Sequence, residues 1–235
     1  MNPPLDGPPI VSSESPPQVP ELPGPELPFI APDSVHDLRG RTVDELRYPA
    51  SAALIVAGVP GAGKSTALRM FFGAAADADQ ATKGPEGSVV LDSNQTRNWW
   101  RHRVGWLPYL LWRPVVHIAH FVRIRNALRD NAGPVVIHDC ATFGWTRRLL
   151  ARWAAAYRRE VHVILLDVPA TAARAGQLAR GRRINGPAFT MHCYRWRRLI
   201  RELGAGHVPR PAPSSIVIID RTNVDRIRRV GFAAE

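Results

Sequence analysis

Residues 53–66 read ALIVAGVPGAGKST, and the prediction of the fold starts from these residues. The five apolar residues 53–57 predict a short buried strand. The next eight residues, 58–65, match the phosphate-binding pattern G-x-x-x-x-G-K-[ST], and a helix is predicted to open there and run to about Phe72. Glycines in this pattern let the backbone bring its N–H groups close to phosphate oxygens, and the helix N-terminus adds positive charge.

The pattern assigns a role to each residue of this loop. Lys64 is expected to reach the β- and γ-phosphates of ATP, and the Ser65 hydroxyl is expected to ligate Mg²⁺. The residues predicted to contact the nucleotide are Gly58, Gly61, Ala62, Gly63, Lys64, Ser65 and Thr66. Lys64 is one of only two lysines among 31 basic residues, so a compact ammonium stands where Arg is otherwise preferred.

Length and composition set the broad class of the protein. A chain of 235 residues with 45% hydrophobic residues is long enough for one domain with a substantial core. The net charge of +11 favours anionic partners, namely nucleotides, nucleic acid or an acidic membrane surface, or else reflects a solvated Arg-rich surface. Two cysteines and no long uncharged apolar run predict a soluble, cytoplasmic protein without a transmembrane segment, of undetermined oligomeric state.

The N-terminal segment differs in composition from the remainder of the chain. Residues 1–32 hold 11 of the 22 prolines, together with acidic residues and serines and no basic residue. Such a segment cannot bury enough apolar area to offset the entropy lost on ordering. Residues 1–34 are therefore predicted to be a disordered Pro-rich tail, and residues 35–235 to form the folded domain.

The remainder of the chain alternates between apolar strands and helices. Strands are predicted at residues 53–57, 88–91, 135–137, 161–166 and 216–219. This alternation predicts an α/β fold with a five-stranded, mainly parallel sheet and helices on both faces. One helix is predicted from Pro114 to Asp130, with an apolar stripe formed by Val115, Ile118, Val122, Ile124 and Leu128.

Acidic residues follow the predicted strands at Asp92, Asp139, Asp167 and Asp220, and ligands of open parallel sheets bind beyond these strand ends. Here the chain resembles the small P-loop kinases, a group that includes polynucleotide kinase, zeta toxin and chloramphenicol phosphotransferase. The stretches that carry the resemblance are GVPGAGKST (58–66), LDSNQTR (91–97), LLDVPATAARAGQLARGRR (165–183) and SIVIIDRTN (215–223). It implies transfer of the ATP γ-phosphate to a hydroxyl of an unknown acceptor, either a small molecule or a polynucleotide end.

The resemblance also implies roles for individual side chains. Asp92 would take the proton from the acceptor hydroxyl, Arg97 would orient the acceptor, and Asp139 would hold Mg²⁺ or its water. Arg221 lies in a turn where related kinases pack adenine. Three arginines would form a catalytic lid over the phosphates, namely Arg180, Arg182 and Arg183.

One position departs from the pattern of the relatives. Many of them read D-x-D-x-x-R, with the second Asp as the base, and this chain has Asn94 there. Because an amide cannot accept the proton, either Asp92 is the base or transfer is weakened or lost. In the latter case the protein is an ATP-binding or ATP-hydrolysing switch. Asp92 is also able to act simply as a cap of the turn after its strand.

Tryptophan and arginine are concentrated between residues 95 and 113, where related kinases recognise their acceptor. Four of the seven tryptophans lie there, at positions 99, 100, 106 and 112. Three interpretations remain open at this stage. The rings stack on nucleic-acid bases, pack the following helix onto the sheet, or belong to a basic amphipathic surface on an anionic membrane.

Overall fold

The computed structural model describes residues 29–139, 142–179, 181 and 186–233. In these residues the strands are β1 (Phe29–Ile30), β2 (Val35–Asp37), β3 (Glu45–Pro49), β4 (Ala53–Ala57), β5 (Thr82–Lys83), β6 (Val89–Leu91), β7 (Val135–Asp139), β8 (Val161–Leu166), β9 (Ser215–Ile219) and β10 (Arg229–Ala233). The helices are α1 (Lys64–Phe72), α2 (Ser93–Val104), α3 (Tyr109–Asp130), α4 (Gly144–Ala156), α5 (Ala170–Leu178), α6 (Gly186–Gly204) and α7 (Arg221–Arg226). None of the helices in these ranges combines the length and apolarity that a membrane span requires.

The central sheet has seven strands in the order β2-β9-β8-β4-β7-β6-β5. Only the β5–β6 pair is antiparallel, so the predicted α/β fold with a mainly parallel sheet is confirmed. The predicted number of five strands is wrong, because β2 and β5 extend the sheet at its two edges. These edge strands have three and two residues, which is too short to produce a hydrophobic pattern.

A second sheet joins β3 to β1 on one side and β10 on the other, and both pairs are parallel. Leu46 and Tyr48 of β3 are buried. The guanidinium of Arg47 lies 3.8 Å from the ring centre of Phe29. Phe29–Ile30 fall within the predicted tail but are paired with β3, whereas residues 1–28 lie outside the described residues and their disorder stays a prediction.

The hydrophobic core lies on both faces of β4, which is buried along its whole length between β7 and β8. Helix α1 covers one end of this strand with Leu68 and Phe72, which are almost fully buried. Full burial of a side chain of this size contributes about 1.5–3 kcal/mol relative to exposure. The strand that leads into the phosphate-binding loop is therefore anchored in the core.

Helices α2 and α3 differ from the sequence-based prediction. Helix α2 was not predicted, and α3 begins at Tyr109 and carries Pro114 inside it. Ile124 and Leu128 are buried as predicted. The other buried positions of α3 are Trp112, Val116 and His120, whereas the predicted stripe residues Val115, Ile118 and Val122 are exposed. The prediction failed because α3 has apolar residues on two opposite sides, and only one side packs on the protein.

Candidate active site

The phosphate-binding loop connects β4 to α1 and depends on two glycines with left-handed backbone conformations. Gly61 has φ of 89° and Gly63, at the N-cap of α1, has φ of 115°. A Cβ atom at Gly61 would lie 2.0 Å from the backbone oxygen of Ala173. Helix α5 therefore packs against the loop at a distance that only glycine permits.

Lys64 and Ser65 begin α1 directly after the loop. The Lys64 ammonium donates hydrogen bonds to the backbone oxygens of Gly58 (2.7 Å) and Val59 (3.2 Å), so it is held across the loop. The Ser65 hydroxyl accepts a hydrogen bond of 3.3 Å from the side-chain amide of Asn94. Gln177 of α5 fixes the loop from the other side, since its amide donates to the Pro60 oxygen at 2.9 Å.

The loop opens onto a cleft of about 360 Å³. Lys64 and Ser65 lie on one wall, together with Gly61 and Gly63. A second wall comes from α3, β7, the start of α4 and α6, and includes Arg113, His117, His120, Phe121, His138, Phe143 and His192. The cleft thus joins the glycine-rich loop to a wall lined by imidazoles and phenyl rings.

Asp92 and His138 form a close pair at the ends of β6 and β7. Their Oδ1 and Nδ1 atoms are 2.5 Å apart, and His138 also lines the cleft. Burial raises the pKa of Asp92, but the His138 ring and hydrogen bonds from Asn94 outweigh this effect and hold that pKa below its usual range. Asp92 is therefore a carboxylate at neutral pH, and it supports the ring that faces the cleft.

Asp92 also caps α2, as the alternative interpretation of the sequence predicted. Its side chain accepts from the backbone N–H of Asn94 at 2.8 Å, and its own N–H donates to the Gln95 side chain at 3.1 Å. Asp92 and Gln95 form a capping box, in which the Asp92 carboxylate also accepts from the backbone N–H of Gln95. Asn94 additionally donates to Asp92 Oδ2 at 3.1 Å, so its amide bridges the carboxylate and the Ser65 hydroxyl.

Three other histidines of the wall are shifted towards their neutral form. Burial and the neighbouring His138 lower the pKa of His120 to about 4. Burial, with Arg113 beside it, lowers the pKa of His117. Burial, with Lys64 and Arg195 nearby, lowers the pKa of His192. At neutral pH these three rings are therefore uncharged hydrogen-bonding groups.

The structure brings Asp139 to the same cleft as Lys64 and Ser65. The strand register places it opposite Ala57, the last residue before the loop. The Thr146 hydroxyl lies 3.4 Å from Asp139 Oδ2. An acid and a hydroxyl beside the loop are donors of the type that Mg²⁺ accepts, so the predicted set of Ser65 and Asp139 fits this ion chemically.

The predicted arginines occupy different places. Arg97 does not line the cleft, because its guanidinium lies 4.9 Å from the ring centre of Tyr109, and Arg113 is the arginine of the wall. Arg221 lines a second cavity of about 270 Å³ beside the loop, with Ala62, Gly63 and Thr66. Its guanidinium donates to the backbone oxygen of Ala172 at 3.2 Å. The lid residues Arg180, Arg182 and Arg183 lie outside the described residues.

No family model matches the chain, and no curated protein matches it in sequence. Among solved structures, it is similar to one of the PezAT chromosomal toxin–antitoxin system of Streptococcus pneumoniae, with 17% identity over 74% of this chain and 68% of that chain and a TM-score of 0.48. A tunicamycin resistance protein of Deinococcus radiodurans is 16% identical over 62% of this chain and 80% of its own, with a TM-score of 0.40. The protein APE1195 is 14% identical over 75% of this chain and 91% of its own, with a TM-score of 0.41.

The geometry itself defines what this arrangement can do chemically. A glycine-rich loop at a helix N-terminus with a lysine beside it can bind phosphate oxygens. A histidine held by a carboxylate can accept a proton from a hydroxyl that lies within hydrogen-bond reach. The cleft places these two functions side by side, and the sequence motif alone revealed only the first.

Proposed function

We propose that the protein is an ATP-dependent phosphotransferase that moves the γ-phosphate to a hydroxyl of an acceptor bound in the cleft. The observation that carries this proposal is the shared cleft. Lys64 and Ser65 line one wall, and His138, supported by Asp92, lines the other. A site for hydrolysis alone has no need of a second, imidazole-lined compartment of this kind.

The nucleotide side of the proposal rests on the loop. Its N–H groups and Lys64 would bind the phosphates, and the cavity beside Arg221 would take the base. Ser65 and Asp139 would hold Mg²⁺, which when bound neutralises charge on the phosphate oxygens. The lid arginines predicted from the sequence, Arg180, Arg182 and Arg183, would stabilise charge on the transferring group.

The acceptor side rests on the His138–Asp92 pair. With Nδ1 directed to Asp92, the Nε2 atom of His138 is the nitrogen left to take the proton of the acceptor hydroxyl. The acceptor oxygen forms its bond to the γ-phosphorus as the bond to the β–γ bridging oxygen breaks. This assigns the proton to His138 and a positioning role to Asp92, instead of the base role that the sequence predicts for Asp92.

The first experiment combines calorimetry of ATP binding with a search for transfer of labelled γ-phosphate into a panel of metabolites and oligonucleotide ends. K64A should lose ATP binding, because no other group on the loop replaces its ammonium. K83A is the matched control, since Lys83 is the other lysine of the chain and is exposed on β5. Equal ATP affinity in K64A and the wild type would refute the nucleotide site.

The second experiment separates the two members of the pair. Once an acceptor is found, H138Q should lower kcat by about 10²–10⁴, the usual contribution of a general base, with ATP affinity unchanged. D92N should lower kcat less, because His138 keeps its place but loses its carboxylate partner. Transfer at the wild-type rate in H138Q would contradict the assignment of the base.

One observation favours an ATP-hydrolysing switch as the alternative. Asn94 stands where kinase relatives carry a second acid, and its amide donates to both Ser65 and Asp92. The same assay distinguishes the two functions. Label released only as inorganic phosphate, with every acceptor of the panel unlabelled, would favour the switch. An N94D variant that gained transfer would show that Asn94 limits it.

A further inference from the structure

Helix α3 has apolar residues on two opposite faces. Its inner face packs on the protein through Trp112, Val116, His120, Ile124 and Leu128. Its outer face carries a stripe of four exposed apolar side chains. They are Leu111 (66% exposed), Val115 (40%), Ile118 (66%) and Val122 (51%). These positions are spaced i, i+4, i+7 and i+11, so they lie along one line of the helix and form what we call the outer stripe.

Further exposed apolar residues lie at the N-terminal end of the outer stripe. Trp106 is 80% exposed and Leu110 is 77% exposed. Contiguous apolar surface of this kind is rare on a free surface and marks sites of interaction with another molecule or with a membrane. Nothing in the described part of the chain covers these side chains.

The segment of the chain that carries the outer stripe has only basic residues among its charged side chains. Between Asp92 and Asp130 the sequence has seven arginines and no acidic residue. The exposed ones outside the cleft are Arg101, Arg103, Arg125 and Arg129, whereas Arg113 lines the cleft on the inner side of α3. Asp130, at the end of α3, pairs with Arg129 at 2.6 Å. A partner of this surface must therefore offer both apolar groups and negative charge.

Charge argues against a second copy of the chain as that partner. Packing two outer stripes together would bring the exposed arginines of α3 in one copy towards those of the other, with no acid between Asp92 and Asp130 to pair with them. Nucleic acid satisfies the charge but not the aliphatic side chains. Leu111, Val115 and Ile118 have no π-face on which bases stack.

We propose that the outer stripe of α3 docks on the surface of an anionic lipid bilayer. A bilayer surface supplies acyl chains for the aliphatic residues and negative headgroups for the flanking arginines. The helix would lie in the plane of the interface, with Trp106 at the level of the headgroups. Because the inner side of the same helix lines the cleft through His120 and Phe121, docking would hold the cleft close to the membrane surface.

The test is co-sedimentation of the full chain with vesicles of phosphatidylcholine containing 30% phosphatidylglycerol, compared with vesicles of phosphatidylcholine alone. We expect binding to the anionic vesicles that is at least tenfold stronger. The variant I118S/V122S should weaken it at least tenfold at unchanged net charge. M70S/V208S is the matched control, because Met70 and Val208 are 47% and 38% exposed outside the outer stripe.

Folding and insertion are measured on the same samples. Because Ile118 and Val122 are exposed, their serine variants should unfold at the wild-type urea concentration. Brominated acyl chains in the vesicles should quench tryptophan emission, and W106F should reduce that quenching. Vesicle binding by I118S/V122S equal to that of the wild type would overturn the proposal, because charge alone would then account for adsorption.

The same samples also test two other partners of the outer stripe, a second copy of the chain and a nucleic acid. A concentration-dependent dimer, seen by sedimentation and lost in I118S/V122S, would overturn the proposal in favour of a second copy. Binding of a single-stranded oligonucleotide that is weakened by I118S/V122S, without vesicle binding, would overturn it in favour of nucleic acid. Absence of binding to anionic vesicles at low salt overturns it outright.

Discussion

Gly61 determines whether the phosphate-binding loop and α5 can pack together. Its φ of 89° favours glycine, and a Cβ there would meet the Ala173 oxygen at 2.0 Å. We predict that G61A lowers the free energy of unfolding by about 2–4 kcal/mol, from backbone strain and overpacking together. It should also weaken ATP binding at least a hundredfold. Urea denaturation and calorimetry measure the two effects.

Gly40 provides the control for this prediction. Its φ is also positive, at 69°, but apart from its two chain neighbours no heavy atom of the described residues lies within 4 Å of the position its Cβ would take. G40A should therefore lower the free energy of unfolding by backbone strain alone, about 1–2 kcal/mol, and leave ATP binding unchanged. Equal effects of the two substitutions would contradict the role given to the contact between Gly61 and α5.

His120 makes the stability of the protein sensitive to mild acid. Burial lowers its pKa to about 4 in the folded state, whereas its ordinary value is 6.5. Between these two pH values the unfolded chain binds more protons, so stability falls as the pH drops from 6.5 to about 4. The loss from this one group is about 3 kcal/mol. The ionisable groups that influence it are His138, Asp92 and Asp139.

Urea denaturation at pH 7.0, 5.5 and 4.5 measures this loss. His117 and His192 contribute in the same direction, because their pKa values are also lowered. H120Q should flatten the pH dependence, while H102Q, at an exposed position of α2, should leave it as in the wild type. A pH dependence unchanged in H120Q would show that the other two histidines carry it.

The residues of the phosphate-binding loop were predictable from the sequence, but the contact between Asp92 and His138 was not. The motif fixes the positions of Lys64 and Ser65 because its spacing is local. Asp92 and His138 are 46 residues apart, and they meet because β6 and β7 pair with Leu91 opposite Ile137. The pairing of two parallel strands leaves no signal in their local sequences. Had β6 and β7 been known to be neighbours, the positions of Asp92 and His138 at the ends of these strands would have suggested that the two side chains meet.

Helix boundaries show how a single proline misleads prediction at the level of elements. The sequence places Pro114 in the first turn of a helix, yet α3 begins five residues earlier. We predict that P114A raises the free energy of unfolding by about 1–3 kcal/mol, because Pro114 cannot donate to the Leu110 oxygen and its ring crowds that turn. Urea denaturation measures this change.

Pro108 is the control, because it lies at the N-cap of α3, where a missing N–H costs nothing to the helix. P108A should change stability by less than about 0.5 kcal/mol. If P114A destabilises the protein, Pro114 has a role in shaping α3 that outweighs the lost hydrogen bond. Helix α2 was missed for a different reason: its signal was the capping pair Asp92 and Gln95, not apolar periodicity.

At the scale of the whole molecule, the sequence predicted the centre of the fold but not its edges. The five predicted strands occupy the five inner positions of the central sheet, because each is apolar enough to stand out. The second sheet joins β1, β3 and β10 from distant parts of the chain. Its strands are short or carry arginine and glutamate, so nothing in their local sequence predicts parallel pairing.

Charge is distributed unevenly along the chain, and this leads to a prediction about the tail. Residues 1–28 contain four acidic residues and no basic one, so their removal raises the formal net charge of +11 by four. If the tail is disordered, as its composition predicts, the chain 29–235 should keep its free energy of unfolding within about 0.5 kcal/mol. It should also elute from a cation exchanger at higher salt, because its basic surface is less compensated.

The truncation begins at Phe29 so that β1 stays paired with β3 and the contact of Arg47 with Phe29 is kept. Starting instead at Val35 should cost more stability, because β3 then loses a neighbour along Glu45 and Leu46. A loss of more than about 1 kcal/mol in the chain 29–235 would show that residues 1–28 pack on the domain. Elution at the same salt as the full chain would show that their carboxylates do not offset the basic surface.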